Sequence, residues 1–159
     1  MAYIRLNMAE MVVSKDNDIL AIHGLGSCIG LVLFEPKSGI GAMAHVMLPC
    51  NITKNPPTKP GKYVDTAIDE MLVCLTNHGI DPKNLVAKIC GGASMFKTSK
   101  DSNLCIGEKN IELAEKILKE KHIPIKAKDV GGDYGRTIEF DVNTGIIRIS
   151  TVLAGTKYI

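Results

Sequence analysis

The sequence predicts an α+β fold in which strands make up most of the chain and at least two helices pack on them. Residues 64–75 and 111–118 carry apolar side chains at the 3.6-residue period of an amphipathic helix. Around them lie short apolar runs of strand length, bounded by turn residues such as those at 35–39 and 143–145. At 159 residues, we expect one domain, 1–159, with a sizeable core.

The first quarter of the chain predicts strands on either side of a glycine-rich loop. Residues 3–13 indicate a first strand, residues 15–18 a turn, and Ile19–Ile22 a short segment that enters the loop 24–28. The loop sequence is Gly-Leu-Gly-Ser-Cys. Its glycines and small serine favour a tight backbone path.

Two buried strands follow this loop as a hairpin. Residues 29–34 are a short apolar run, and Glu35-Pro-Lys-Ser-Gly39 supplies the turn. Residues 40–48 are again apolar except for His45.

The middle of the chain predicts a connector, a helix and another strand. The proline-rich segment 50–61 is expected at the surface, either as a mobile connector or as a flap beside a site. The first helix is expected to begin at Gly61 and to end with Gly79 as its C′ residue. A strand over 85–90 is followed at once by Gly-Gly-Ala-Ser, where close backbone approach or positive φ angles are expected.

The last third predicts a second helix and three strands. The helix runs from Cys105 to about residue 121, followed by a strand over 123–130. Segments 136–142 and 145–152 form a hairpin, and residues 154–159 are expected to fray.

Composition excludes several functional classes. A net charge of +2 without a long lysine run argues against a dedicated nucleic-acid surface, and 4% aromatic residues without tryptophan provide no base-stacking platform. The N-terminus has no signal-peptide pattern, and the most apolar window, 19–34, is interrupted by glycines and His23. Five cysteines without a CxxC pair indicate reduced thiols in the cytosol. We expect a soluble, cytoplasmic, monomeric protein.

The hairpin register brings together the two most reactive side chains. If Glu35 faces Ile40 across the turn, Gly30 faces His45, so Cys28 and His45 project from the same face of neighbouring strands. Gly30 is expected to leave room for the imidazole ring. A slip of one residue would place the two side chains on opposite faces.

A thiol beside an imidazole can act as a nucleophile with its base, and it attacks carbonyl or carboxamide carbons. Gly24, Gly26 and Ser27 would allow backbone N–H groups to turn toward an oxyanion.

Less reactive interpretations stay open at this point. A lone cysteine is commonly a small core residue, and a histidine on an apolar face is commonly a satisfied core residue. Residues 23, 28, 45 and 50 contain two histidines and two cysteines, but their spacing matches no compact zinc signature. The double glycine lacks the Walker pattern of a phosphate loop, and Ser94 has no base beside it in the sequence.

Six motifs, in order, resemble the CheD family of chemoreceptor glutamine deamidases. They are Gly24-Leu-Gly-Ser-Cys28, Gly41-Ala-Met-Ala-His45-Val-Met-Leu-Pro49, Lys62-Tyr63-Val-Asp65-Thr-Ala67, Ala87-Lys-Ile-Cys-Gly91-Gly92-Ala93-Ser94-Met95-Phe96, Ile106-Gly107-Glu-Lys-Asn110 and Gly131-Gly-Asp-Tyr-Gly135-Arg136. Together they extend from about residue 21 to about residue 149.

The resemblance implies a fold and a reaction. The fold is a compact sandwich of two β layers flanked by helices, similar to the deamidating domain of cytotoxic necrotizing factor toxins. The reaction hydrolyses glutamine side-chain amides on the cytoplasmic helices of chemoreceptors, with Cys28 as nucleophile and His45 as general acid and base. Backbone N–H groups from Gly26 to Cys28 would bind the oxyanion, and no metal or organic cofactor is needed.

The resemblance also implies partners and further site residues. A CheC-type phosphatase of CheY is an expected partner beside the chemoreceptor. Gly91, Gly92 and Ser94 are expected to wall the site. From its place in the sequence just before the loop, His23 is predicted to lie near the site mouth, and Ile22 beside it is a candidate for the site wall or a substrate contact.

One position departs from the family pattern. The family commonly has a threonine six residues before the nucleophile, where its hydroxyl can orient the histidine, and this chain has Ile22. Two alternatives therefore stay open: a non-catalytic adaptor that binds receptors or CheC, and a cysteine-dependent glutamyl methylesterase acting on the same receptors.

Overall fold

The computed structural model describes residues 1–53, 55–94 and 105–159. Met95 and Phe96 of the fourth motif, and Lys54 of the proline-rich connector, lie outside the described residues. The described chain forms two five-stranded sheets and two α-helices. The predicted α+β class is confirmed.

The first sheet has the strand order β1-β3-β8-β9-β10. These strands are β1 (Tyr3–Arg5), β3 (Ile19–Leu25), β8 (Arg136–Asp141), β9 (Ile147–Thr151) and β10 (Gly155–Tyr158). β1 runs parallel to β3, and the other neighbours are antiparallel.

The second sheet has the order β2-β5-β4-β6-β7. These strands are β2 (Met11–Ser14), β4 (Ile29–Glu35), β5 (Ile40–Val46), β6 (Val86–Gly91) and β7 (Ile125–Val130). β4 pairs antiparallel with both β5 and β6, and β7 adds in parallel beyond β6.

Side-chain alternation along β4 separates two cores. Even-numbered residues such as Val32 and Phe34 face the first sheet, where they pack with Ile138 and Phe140. Odd-numbered residues such as Leu31 face the helices instead. The molecule is therefore a sandwich of two β layers, as expected, with both helices on the outer face of the second sheet.

The helices are α1 (Val64–Asn77) and α2 (Ile106–Glu120), and both present an apolar stripe to the second sheet. A short 3₁₀ turn, Pro60–Lys62, precedes α1, so the helix begins three residues later than expected. Gly79 terminates α1 with φ +83°, and bonds from the Gly79 and Ile80 N–H groups to the Thr76 and Leu75 carbonyls complete a Schellman motif. The predicted C′ glycine is confirmed. Neither helix of the described chain has the length and apolar character needed to cross a membrane.

Two predictions at the chain ends were wrong. Residues 3–13 are not one strand, because the chain crosses from the first sheet to the second between β1 and β2, and Ala9 adopts φ +68° in that turn. Residues 155–158 form strand β10 against β9 instead of fraying. The Lys157 ammonium lies 3.1 Å from the Asp129 carboxylate, and Ile159 exchanges two backbone bonds with Ile147.

Candidate active site

The β4–β5 register places Cys28 and His45 on the face between the two sheets. Gly30 pairs with His45 and Glu35 with Ile40, as the turn predicted. Cys28 lies two residues before Gly30, in the bend formed by residues 26–28, and its side chain packs against the inter-sheet core. His45 is buried.

The imidazole ring is held by the backbone of the turn between β1 and β2. His45 Nδ1 lies 3.3 Å from the Leu6 carbonyl oxygen. Since a carbonyl only accepts, Nδ1 carries the proton and Nε2 presents a lone pair. The same turn is fixed to β5 by two backbone bonds, from Ala9 N–H to the His45 carbonyl and from His45 N–H to the Glu10 carbonyl.

The space above Gly30 is bounded by Ile138 and Ile22, and the room expected there for the imidazole stays a prediction. A side chain at Gly30 would collide with Ile138 and would lie 3.3 Å from Ile22 Cδ1. Ile22 is fully buried in this apolar contact and offers no polar atom to the ring. The Leu6 carbonyl therefore orients His45 where a threonine hydroxyl is absent.

Burial controls the protonation of both groups. It raises the pKa of the Cys28 thiol, against a smaller opposing effect of the residue's own backbone amide. It also lowers the pKa of His45, which the Leu6 and Asn7 backbone and the Glu10 charge partly oppose. Burial therefore favours the uncharged form of both the thiol and the imidazole.

All three carbonyls of the 26–28 bend are occupied. Gly26 O accepts from Ala93 N–H at 3.0 Å, Ser27 O from Asn110 Nδ2 at 3.1 Å, and Cys28 O from Gly92 N–H at 2.9 Å. Across the described chain, no hydrogen bond to another residue has a 26–28 backbone N–H as its donor. Backbone N–H groups arranged in this way can serve as oxyanion donors.

The double glycine after β6 packs directly on this bend. Gly91 has φ +98°, and a side chain there would lie 2.5 Å from the Cys28 carbonyl oxygen. Gly92 has φ +69° and contacts the first turn of α2, where a side chain at Gly107 would lie 2.5 Å from the Gly92 carbonyl. The close approach and positive φ angles expected at this position are present.

A buried arginine supports the wall next to the double glycine. Arg136 Nη1 donates to the Gly131 carbonyl at 2.9 Å, and its guanidinium lies 4.4 Å from the Tyr134 ring centroid and 3.4 Å from Asp129. The Gly132 carbonyl, in the turn that Arg136 stabilises, accepts a hydrogen bond from the Ser94 N–H at 2.9 Å. Ser94 is thus bound through its backbone beside the bend.

His23 lies apart from the thiol–imidazole pair. It is exposed on β3, and its Nε2 lies 2.8 Å from the Tyr3 hydroxyl. Ile22, its neighbour, faces the inter-sheet core, so His23 faces outward. The structure therefore places Cys28 and His45 on the same inter-sheet face, packs Gly91 and Gly92 against the 26–28 bend, and leaves His23 on the outer surface.

The described residues contain no cluster of three or more histidine, cysteine or carboxylate side chains suited to a metal ion. The five cysteines are free thiols, and burial raises the pKa of Cys90 to about 12.

Sequence reasoning missed two contributors. The Leu6 carbonyl has no side-chain signature, because its role depends on a backbone path between sheets. Asn110 stands in the fifth motif, which singled it out without suggesting a role.

Comparison with known proteins places these residues in a family context. The family model described as CheD chemotactic sensory transduction matches residues 47–151. A Caldanaerobacter subterraneus subsp. tengcongensis protein named probable chemoreceptor glutamine deamidase CheD is 39% identical over 98% of this chain and 97% of its own. Proteins of the same name from Thermococcus kodakarensis and Clostridium botulinum strain Hall are 36% and 41% identical. The match to the Thermococcus kodakarensis protein covers 96% of this chain and 94% of that protein, and the match to the Clostridium botulinum protein covers 98% of this chain and 97% of that protein.

A solved structure, that of the Bacillus licheniformis hypothetical protein YfiH, is similar with a TM-score of 0.47 and 13% identity. The similarity covers 76% of this chain and 49% of that one.

The neutral thiol predicts how alkylation of Cys28 depends on pH. Because only the thiolate reacts and burial raises the thiol pKa, the iodoacetamide rate should rise about tenfold per pH unit from neutral pH to about pH 9. Peptide mass spectrometry after timed quenching measures the rate at Cys28, with the exposed Cys50 as an internal control for the reagent. A rate that stays constant from about pH 6 to about pH 8 would instead indicate a thiolate–imidazolium pair.

Proposed function

The chain belongs to the CheD family of chemotactic sensory transduction proteins, and from this premise we propose that it is a chemoreceptor glutamine deamidase with Cys28 as nucleophile and His45 as general acid and base. The observation that carries the proposal is the shared inter-sheet face of these two side chains, beside three backbone N–H groups that donate to no other described residue. Nucleophile, base and oxyanion donors are what acyl transfer requires.

In the first half of the reaction, His45 Nε2 accepts the Cys28 proton while Sγ attacks the carboxamide carbon of a receptor glutamine. Backbone N–H groups of the 26–28 bend stabilise the negative oxygen of the tetrahedral intermediate. The intermediate collapses as His45 returns the proton to the departing nitrogen, which leaves as ammonia. A glutamyl thioester on Cys28 remains.

In the second half, His45 Nε2 removes a proton from water, and the hydroxide attacks the thioester carbonyl. Collapse of the second tetrahedral intermediate breaks the C–S bond, and the imidazolium returns its proton to Cys28. The product is glutamate, and the enzyme is regenerated. The groups that act are side chains and backbone amides of the chain itself, so the proposed reaction needs no metal ion or organic cofactor.

The Leu6 contact supports catalysis over a purely adaptor role. The adaptor interpretation rested on Ile22, which cannot orient the imidazole, and the Leu6 carbonyl performs that task at 3.3 Å. A methylesterase would use the same nucleophile and base, so only the substrate distinguishes it.

We propose that the substrates are cytoplasmic helices of chemoreceptors and that a CheC-type phosphatase is a further partner. A receptor helix would dock on this protein in the cytoplasm, where these receptor segments lie. The exposed Val152 and Leu153, at the tip of the β9–β10 hairpin, line an open cleft of about 410 Å³ together with Gly24. This cleft lies beside β3, the strand that leads into the 26–28 bend.

Loss of the thiol should abolish deamidation. Cys28→Ala removes the nucleophile, so a receptor cytoplasmic fragment incubated with this variant should show no gain of about one dalton per glutamine, whereas the wild type produces it. Intact and peptide mass spectrometry measure the change, with Cys50→Ala as a matched thiol control that retains activity. Binding of the fragment without any mass gain by the wild type would support the adaptor, and loss of about 14 daltons from a methylated fragment would support the esterase.

Restoring the family's threonine should not help this chain. Ile22→Thr places a hydroxyl in the apolar contact beside Ile138 while Leu6 already holds Nδ1, so kcat should not rise. The free energy of unfolding should fall by about 1–3 kcal/mol because buried methyl groups are lost and a polar atom is buried.

Deamidation kinetics and urea denaturation measure the two effects of Ile22→Thr, and Ile138→Thr serves as the control that loses stability from the same contact. A several-fold increase in kcat for Ile22→Thr alone would show that the hydroxyl, not the Leu6 carbonyl, is the better orienting group.

A further inference from the structure

Asn110 is a fully buried polar side chain in the first half of α2, and its amide joins the two segments that carry the reactive pair. Its Nδ2 donates at 3.1 Å to the Ser27 carbonyl, next to Cys28 in sequence, and at 3.1 Å to the Met47 carbonyl, two residues after His45. One side chain therefore fixes the nucleophile bend relative to the end of β5.

This arrangement leaves a polar atom unsatisfied. Asn110 Oδ1 is buried and has no hydrogen-bond partner in the described chain. A buried acceptor without a donor destabilises the fold, and asparagine is a weak helix former. The Asn110 amide therefore donates to two backbone carbonyls, while its own oxygen has no hydrogen-bond partner in the described chain.

The bond to Ser27 also determines where the Cys28 N–H points. The Ser27 carbonyl and the Cys28 N–H belong to one planar trans peptide, so they point in opposite directions. No cis peptide occurs in the described chain. Because the Ser27 carbonyl points toward the Asn110 amide, the Cys28 N–H points away from that amide.

The side of the sheet away from α2 is the inter-sheet face, where His45 lies. A hydrogen bond accepted by a carbonyl also polarises the N–H of the same peptide and makes it a stronger donor. Asn110 thereby affects both the direction and the strength of the Cys28 N–H.

We propose that Asn110 is a positioning residue that orients the Cys28 N–H as an oxyanion donor through the Ser27 peptide. The inference rests on the proposed deamidase function and assigns a role within it. Asn110 contacts no substrate and exchanges no proton in this role.

Two reactions at Cys28 separate this role from a general structural one. Deamidation passes through an oxyanion, whereas alkylation by iodoacetamide displaces iodide from carbon without forming one. Asn110→Ala should therefore lower kcat for deamidation of a receptor fragment by at least about tenfold, with KM and the Cys28 alkylation rate changed less than about twofold. Asn110→Gln, which keeps the amide donors, should recover part of the lost kcat.

Leu118→Ala is the matched control, because it removes a buried core side chain from the same helix, eight residues after Asn110. It should lower the melting temperature without lowering kcat at a temperature where both variants are folded. If Asn110→Ala does not fold, Asn110→Ser takes its place with the same readouts and expectations.

Three results would overturn the proposal. They are an unchanged kcat for Asn110→Ala, a parallel fall of kcat and the Cys28 alkylation rate, and an equal fall of kcat in Leu118→Ala. If the wild type itself does not deamidate the fragment, the proposed function fails first, and that outcome is distinct from an active wild type with an equally active Asn110→Ala.

Discussion

The candidate site depends on the register of β4, the central strand of the second sheet. Its pairing with β5 places His45 opposite Gly30, and its pairing with β6 places Gly91 opposite Ile29. The bend that carries Cys28 immediately precedes β4, so both neighbours are positioned relative to the thiol. A slip of one residue against β5 would turn His45 toward the helices and separate the pair.

Contacts from the segment after β1 and from α2 hold the imidazole and the 26–28 bend in the positions that the register sets. The turn between β1 and β2 passes over β5 and supplies the Leu6 carbonyl that fixes the imidazole. Asn110, Gly92 and Ala93 bind the three carbonyls of the 26–28 bend. The thiol and imidazole thus lie between two sheets that bury both groups and keep them neutral.

Local sequence signals predicted the elements that local interactions determine. The helices followed from the 3.6-residue period, and the β4–β5 register followed from the turn at 35–39. Long-range contacts explain the failures. The N-terminal run has no glycine or proline at Ala9, where it changes sheets, and β10 forms only because β9 offers an unpaired edge. The Leu6 contact involves a backbone atom, so no residue type could indicate it.

The Leu6 carbonyl holds the Nδ1 proton of His45, which leaves a lone pair on Nε2. The most direct measurement is the ¹⁵N NMR spectrum of the imidazole at neutral pH, with His45→Gln used to assign its signals among the four histidines. The expected result is a neutral ring that is protonated on Nδ1 and unprotonated on Nε2. A ring protonated on Nε2, or on both nitrogens, would contradict it.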